Sequence, residues 1–362
     1  MNDEFIKFHE VEISEKDIHE VVDTLKSGNL THGLKAKLFE QKFKEYLGVS
    51  HSFAINSATA GLHLALSAIG ISKGDKVIVP VNTFTATAEV IRYFEADVIF
   101  CDIEKDTFNI DVDALNDLLD DVSDIKAIIP VHIAGHCCDM SSIMKLANKY
   151  NVKVIEDAAH AFPAKYKKQN IGTVGDITVF SFYATKTLCT ADGGIIVTNN
   201  KKYAKKIDLL RNHGRSNSND DVMAWNYSIE TFGYKYLMND LNASLGIHQL
   251  DRAKEQLNLR KDIAKFYDDS LVNIESLVTP ISESYCGQHS HHLYIIKVKN
   301  RDAFIKEMHK RGIQTSVHFI PLHKHTYWKE LYNLKDEDFP VATKNFESIV
   351  SLPIYSKLSK KD

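Results

Sequence analysis

The chain has 362 residues, 44% of them apolar and 25% charged, enough to bury a sizeable core and to form more than one domain. Forty-four basic against 48 acidic residues leave a formal charge of −4, without the basic surplus of a nucleic-acid binder, so no nucleic-acid partner is expected. No stretch approaches the ~18 to 20 consecutive apolar residues of a membrane span. The Met1 to His9 segment is charged, and the five cysteines are odd in number with no CxxC pair, so a reducing cytoplasm is the expected setting.

From about residue 50 to 200, short β-rich apolar runs alternate with helical patterns. The runs predict strands over 77–81, 98–102, 127–132, 152–157, 179–182 and 195–198. Leu62, Leu64, Leu66 and Ile69 after Ser57, and Leu115, Leu118 and Leu119 after Asp111, read as crossover helices. This alternation argues for an α/β domain with a parallel sheet. The polar, aperiodic stretch Gly214-Arg-Ser-Asn-Ser-Asn-Asp-Asp reads as a surface loop. Beyond Asn239 the pattern turns helical and charged through Ala264, then gives a strand over 292–298, a helix over 302–311 and a strand over 314–319. We therefore expect a large α/β domain over 1–240 and a smaller α+β domain over 241–362.

Four segments carry chemistry, all at expected strand ends, where ligands gather in open α/β sheets. Ala54-Ile-Asn-Ser-Ala-Thr-Ala-Gly-Leu opens a helix with small and hydroxyl residues. A helix N-terminus binds phosphate well, although Asn56 or Ser57 could simply be a cap. Val81-Asn-Thr-Phe-Thr-Ala-Thr-Ala offers Phe84 either to a planar ligand or to the core. Val152-Lys-Val-Ile-Glu-Asp-Ala-Ala-His160 ends a hydrophobic strand in an acid pair and a histidine. Asp157 there is a candidate catalytic acid or a helix cap. Finally Phe180-Ser-Phe-Tyr-Ala-Thr-Lys186 delivers one lysine into a loop of small residues. A desolvated lysine has a lowered pKa and can form a Schiff base; the alternative is a side chain that reaches out to solvent. Together these segments supply an amine, a phosphate cradle, a stacking aromatic and a carboxylate, the four needs of pyridoxal phosphate.

These motifs, with Gly28-Asn-Leu-Thr-His-Gly33, Gly193-Gly194, Gly233-Tyr-Lys-Tyr-Leu-Met-Asn-Asp-Leu-Asn-Ala and Ser351-Leu-Pro353, resemble the DegT/DnrJ/EryC1/StrS sugar-nucleotide aminotransferases in order and spacing. Gly312-Ile-Gln-Thr-Ser-Val-His-Phe-Ile-Pro-Leu-His323 looks like the members that act on 4-keto sugar nucleotides. The resemblance implies the fold-type I architecture, with a mostly parallel seven-stranded sheet flanked by helices and a smaller C-terminal α+β domain. It implies pyridoxal 5'-phosphate as cofactor, pyridoxamine 5'-phosphate as its intermediate form, and L-glutamate and a nucleotide-linked keto sugar as substrates.

It also implies roles for residues. Lys186 would bond the cofactor aldehyde, Asp157 would pair with the ring nitrogen, His160 would lie near the ring, and Phe84 would stack on it. Ala58, Thr59 and Ser181 would hold the phosphate. A homodimer is implied, because in the family a neighbouring subunit completes each site from the segment holding Lys235. Thr31, His32, His318 and His323 would line the substrate pocket. Lys235 stands where many relatives have Asn, which would put an ammonium on the phosphate, and Asp192 stands where Glu is usual. The chain ends at Asp362, where relatives commonly continue through another short helix. Gln288-His-Ser-His-His292 alternates along a strand edge with no Cys or carboxylate nearby, so no metal is expected. Two other readings remain: a 3-keto sugar-nucleotide aminotransferase, and a non-catalytic regulator that keeps the fold.

Overall fold

The computed structural model describes residues 5–216, 225–359 and 361. Most of the polar stretch expected as a loop after Gly214 lies outside the described residues. Two helices open the chain, α1 (Glu15–Ser27) and α2 (Leu34–Leu47), followed by β1 (His51–Ile55) and α3 (Ala58–Ile69). The next units are β2 (Lys76–Pro80), α4 (Ala86–Arg92), β3 (Asp97–Cys101), α5 (Val112–Asp121), β4 (Ile125–Ile128), α6 (Met140–Tyr150) and β5 (Lys153–Asp157). A short hairpin, β6 (Lys165–Tyr166) and β7 (Gln169–Asn170), precedes β8 (Ile177–Ser181), β9 (Gly194–Thr198) and α7 (Lys201–Leu210).

Seven strands form one sheet in the order β1-β9-β8-β5-β4-β2-β3. The pairs from β8 to β3 are parallel, whereas β9 is antiparallel to both β8 and β1. Every strand but β9 therefore points its carboxyl end toward one edge, as expected of parallel strands joined by crossover helices. The middle of the sheet is made of buried apolar runs; Val77, Ile78, Val79, Val154, Ile155 and Val179 are 0% exposed. That burial on both faces explains why they read as continuous rather than alternating hydrophobic segments. Beneath β8, Phe43 of α2 meets Phe162, Phe180 and Phe182 at ring-centroid distances of 5.1, 5.4 and 5.5 Å.

The remaining elements are α8 (Asp240–Asp251), α9 (Ala253–Leu271), β10 (Leu277–Val278), β11 (Cys286–Gln288), β12 (Tyr294–Val298), α10 (Arg301–Lys310), α11 (Thr326–Tyr332), α12 (Pro340–Phe346) and β13 (Ile349–Leu352). β12 sits between β10 and β13 in a three-stranded antiparallel sheet, while β11 joins the β6–β7 hairpin. The N-terminal segment reaches across to this part of the chain, with Ile6 bridging Ile313.

Two expected strands differ. The strand foreseen over 127–132 is β4 and stops at Ile128: Pro130 has no N–H for the ladder, and Val131 makes only an isolated bridge to Asp157 before the chain turns through Ala134 and Gly135, both at positive φ. The segment 314–319 is not a strand: among its described contacts Ser316 bridges Ser351, and the Phe319 N–H donates to the Asn82 side chain at 3.3 Å. A side chain from the sheet edge thus takes a hydrogen bond that a neighbouring strand would otherwise take.

Candidate active site

At the carboxyl end of β1, Ser57 caps α3, its hydroxyl accepting the Ala60 N–H at 3.1 Å. The N–H groups of Ala58 and Thr59 belong to the open first turn, which has no acceptor within its own helix. A side chain at Gly194 would put its Cβ 2.8 Å from the Ala58 nitrogen and 2.8 Å from the Phe180 carbonyl oxygen. Glycine there lets β9 run directly beside the helix mouth. Ser181, the last residue of β8, is half-buried, and its hydroxyl accepts the Tyr183 N–H at 3.4 Å.

Asp157 ends β5 and is buried. The Thr87 hydroxyl donates to Oδ2 at 2.8 Å and the Ala159 N–H to Oδ1 at 3.1 Å. Burial raises its pKa, while those two donors and the Lys186 ammonium pull the other way. Its neighbour Glu156 faces the other side of the strand. His132 Nδ1 accepts the Cys138 N–H, so Nε2 carries the proton and donates it to Glu156 Oε2 at 3.0 Å. Glu156 also accepts from the Gly175 N–H and the Thr178 hydroxyl, which fully explains a charged group with 0% exposure.

Lys186 sits in the turn after β8, with its N–H on the Tyr183 carbonyl at 2.9 Å. The side chain is half-buried, and loss of water lowers its pKa to about 8 against the opposing attraction of Asp157. The side chain stays partly buried instead of reaching out to solvent, so that alternative fails. Around the amine stand His9, His160, His292 and His318, each depressed first by burial and also by the lysine charge. His160 is neutral, and its Nδ1 accepts the Ala134 N–H at 3.3 Å. Ala134 is in the left-handed region, at φ +57°, a conformation held by the turn that aims this N–H. His318 bonds Ser351 through Nδ1 at 2.8 Å and stacks on Phe8.

The structure thus brings Lys186, Asp157, His160 and His318 together. Phe84 is 60% exposed, which rules out the core alternative, and its ring lies 6.2 Å from Phe319, itself stacked near His160. Phe84 and Phe319 line an open cleft of about 810 Å³ with Tyr93, Tyr327 and Trp328. Other expected residues lie apart. His323 is buried, with Nε2 on the Thr343 hydroxyl at 2.9 Å, so in this chain it packs the C-terminal part. His32 bonds the Met238 carbonyl at 3.0 Å, and Thr31 accepts the Asp240 N–H. Both belong to a loop tied down by Asp240, whose carboxylate caps α2 through Gly33 and Ala36. Lys235 is exposed, and its carbonyl accepts from the Asn56 side chain of the same chain at 3.5 Å.

Sequence reasoning missed His9, His292 and Thr87. His9 comes from the charged N-terminal segment, which carries no signal, and His292 from the histidine run judged only as a metal candidate. Thr83 and Thr87 stand four apart at a strand end, a helical spacing that could have been noticed. Among the described residues, no group of three or more His, Cys, Asp or Glu is placed to hold a metal ion.

A desolvated lysine facing a buried carboxylate at the carboxyl edge of a largely parallel sheet, beside an open helix N-terminus, is the arrangement of a fold-type I aminotransferase. The model of the DegT/DnrJ/EryC1/StrS aminotransferase family matches residues 11–362, and the chain belongs to that family. It is 45% identical over 360 residues to an uncharacterized protein of Methanocaldococcus jannaschii, covering 97% of this chain and 92% of that one. It is 40% identical over 361 residues to the spore coat polysaccharide biosynthesis protein SpsC of Bacillus subtilis, with the same coverages of 97% and 92%. Among solved structures, a Streptococcus pneumoniae protein assigned as a sugar aminotransferase, in its PLP form, superposes with a TM-score of 0.92 at 34% identity. That match covers 99% of this chain and 95% of the other.

Proposed function

We propose that this enzyme transfers an amino group from L-glutamate to C4 of a nucleotide-linked 4-keto-6-deoxy sugar. The product would be a 4-amino-4,6-dideoxy sugar nucleotide for glycan biosynthesis. The observation that carries the reading is the Lys186 amine, held near pKa 8 in front of Asp157. The relatives support the substrate class, one acting in polysaccharide biosynthesis and another assigned to sugar amination.

The residues present fit pyridoxal phosphate. Lys186 would take the aldehyde, Ala58, Thr59 and Ser181 the phosphate, Asp157 the ring nitrogen, His160 the ring edge and Phe84 a ring face. The cradle left open by Gly194 gives the phosphate direct access to the first turn of α3. Bound there, the cofactor supplies a ring that accepts the electron pair left when the substrate carbon loses its proton.

The chain's own part is proton handling. Lys186 Nζ removes the proton from the α-carbon of the amino donor as a base, then delivers one as an acid. Asp157 holds a proton on the ring nitrogen by presenting its negative charge there. His160 stays neutral and fixed by the Ala134 N–H, so it can offer Nε2–H as a donor without adding charge. The cleft beside Phe84 and Phe319 is of a size for a substrate with planar groups. On this reading Thr31, His32 and His318 would line the substrate pocket once the enzyme is assembled.

The working form is a homodimer in which Lys235 of one subunit reaches the phosphate of the other. Trp225, Ile229 and Phe232, just before Lys235, are 71%, 58% and 75% exposed, an apolar run suited to burial against a second copy. On this reading the large domain covers residues 1–240 and the smaller one 241–362.

Purified protein should show visible absorbance that borohydride and glutamate each bleach. Glutamate-dependent amination over a panel of 3-keto and 4-keto sugar nucleotides should favour the 4-keto members. An active Lys186→Ala enzyme would sink the mechanism, and preference for 3-keto members would move the reaction to C3.

A further inference from the structure

Thr83 and Thr87 lie one helical turn apart beyond the carboxyl end of β2, and both are nearly fully buried, at 2% and 1% exposure. Hydroxyls taken out of water need partners. Thr83 Oγ1 is 2.8 Å from Thr87 Oγ1, which is 2.8 Å from Asp157 Oδ2. Valence sets the direction of this chain. An ionised carboxylate can only accept, so the Thr87 proton is committed to Asp157, and the Thr87 oxygen must receive the Thr83 proton.

Once Asp157 is protonated, that order is no longer enforced, and the acid can itself act as the donor. The aligned chain therefore stabilises the ionised acid more than the neutral one, through hydrogen bonds to a charged group. The opposing influence is burial, which favours the neutral acid. The other groups acting on this carboxyl are the Ala159 N–H on Oδ1, Lys186 from the turn after β8, and His132 from the segment after β4. With one donor on each oxygen, each still has a lone pair for a further N–H.

We propose that Thr83 and Thr87 are positioning residues of this aminotransferase: their one-way hydroxyl chain orients the Asp157 carboxylate and keeps it ionised, so that it can hold a proton on the ring nitrogen of pyridoxal phosphate. The inference rests on the cofactor reading given above. Thr87 acts only through Asp157; Thr83 also borders the cleft beside Phe84, so its part in the chain is read from the cofactor Kd and absorbance.

The test uses Thr87→Val, which removes the donor at nearly constant shape, Thr87→Ser, which keeps it, and Thr83→Val, which removes the second link. Three quantities are measured: the Kd for pyridoxal phosphate by fluorescence titration of the cofactor-stripped protein, the pH dependence of the bound cofactor's absorbance, and kcat against KM. Thr87→Val is expected to weaken cofactor binding and lower kcat by about tenfold each, the size of a hydrogen bond to a charged group. KM for glutamate should stay within about twofold, since donor binding is not what is lost. The ring proton should leave at lower pH than in the wild type. Thr83→Val should move all three quantities the same way but less, and Thr87→Ser should restore them.

Wild-type values in Thr87→Val, or a Thr87→Ser enzyme no better than Thr87→Val, overturn the proposal. If Thr87→Val does not fold, Thr83→Val decides: unchanged Kd, absorbance and kcat there overturn it. Failure of the cofactor reading looks different, because the wild-type protein itself would then show no visible absorbance and no bleaching by borohydride.

Discussion

Lys186 and Asp157 each owe their usefulness to opposed forces at a single side chain. Burial depresses the lysine pKa from 10.5 to about 8, so about a tenth of the amine is neutral near pH 7 instead of a vanishing fraction. Cofactor loading needs the neutral amine. The rate at which cofactor-stripped protein takes up pyridoxal phosphate should therefore rise with pH through about 8 and level off above it. A rate that keeps climbing past pH 10 in stopped-flow absorbance would show that the lysine is not desolvated. For Asp157, the Asn variant keeps the size and the Thr87 contact but loses the charge. We expect Asp157→Asn to retain the cofactor and to lower kcat by about a hundredfold or more, as loss of a charged group that acts on the transition state does. Rapid-quench kinetics with deuterated glutamate would check that proton transfer is the step affected. Both residues were legible in the sequence because each ends a hydrophobic strand in an unusual residue type. Thr87, His9 and His292 were not, since the groups they act on, Asp157 and Lys186, lie 70 or more positions away.

Among the elements, the contact between β9 and α3 and the aromatic layer under β8 carry the site. Gly194→Ala would place a methyl 2.8 Å from the Ala58 nitrogen, with backbone rather than a flexible side chain in the way. The first turn of α3 would have to shift, and cofactor affinity should fall by roughly tenfold, equivalent to the lower part of the usual overpacking cost. Fluorescence titration checks this, and an unchanged Kd would remove the phosphate from that helix mouth. Phe43 is 0% exposed and meets Phe180 and Phe182, on the strand and turn that present Lys186, and Phe162 in the segment after β5. Phe43→Ala should cost roughly 3–5 kcal/mol, read as a lower urea midpoint at unchanged slope. The parallel strands β2 to β8 were visible as apolar runs because both of their faces are buried. β1 was missed because it opens with His51 and Ser52, and β13 was missed although it is as long as β4. Residues 314–319 have strand-forming side chains but take partners singly from Ser351 and Asn82, which no local pattern reveals.

At the scale of the whole molecule, the proposed shared site makes a prediction that no single chain could satisfy. Lys186→Ala and Lys235→Glu homodimers should each be nearly inactive. Mixed and exchanged, they form hybrids in which one site has both wild-type lysines, and activity should return. If light scattering finds a monomer, or if mixing restores nothing, Lys235 does not act across subunits. The described chain contains no helix long and apolar enough to cross a membrane, and its five cysteines are all buried.

The order of elements, the strand-end positions of Lys186 and Asp157, and the membership of the family follow from neighbours along the chain. Hydrophobic period and residue type at a strand end are local properties, readable before anything folds. The pKa of the lysine, the threonine chain behind the acid, the histidines around the amine and the retreat of His323 into packing arise where distant segments meet. They depend on which groups lose water and which gain a partner, and those outcomes exist only after the chain has closed on itself.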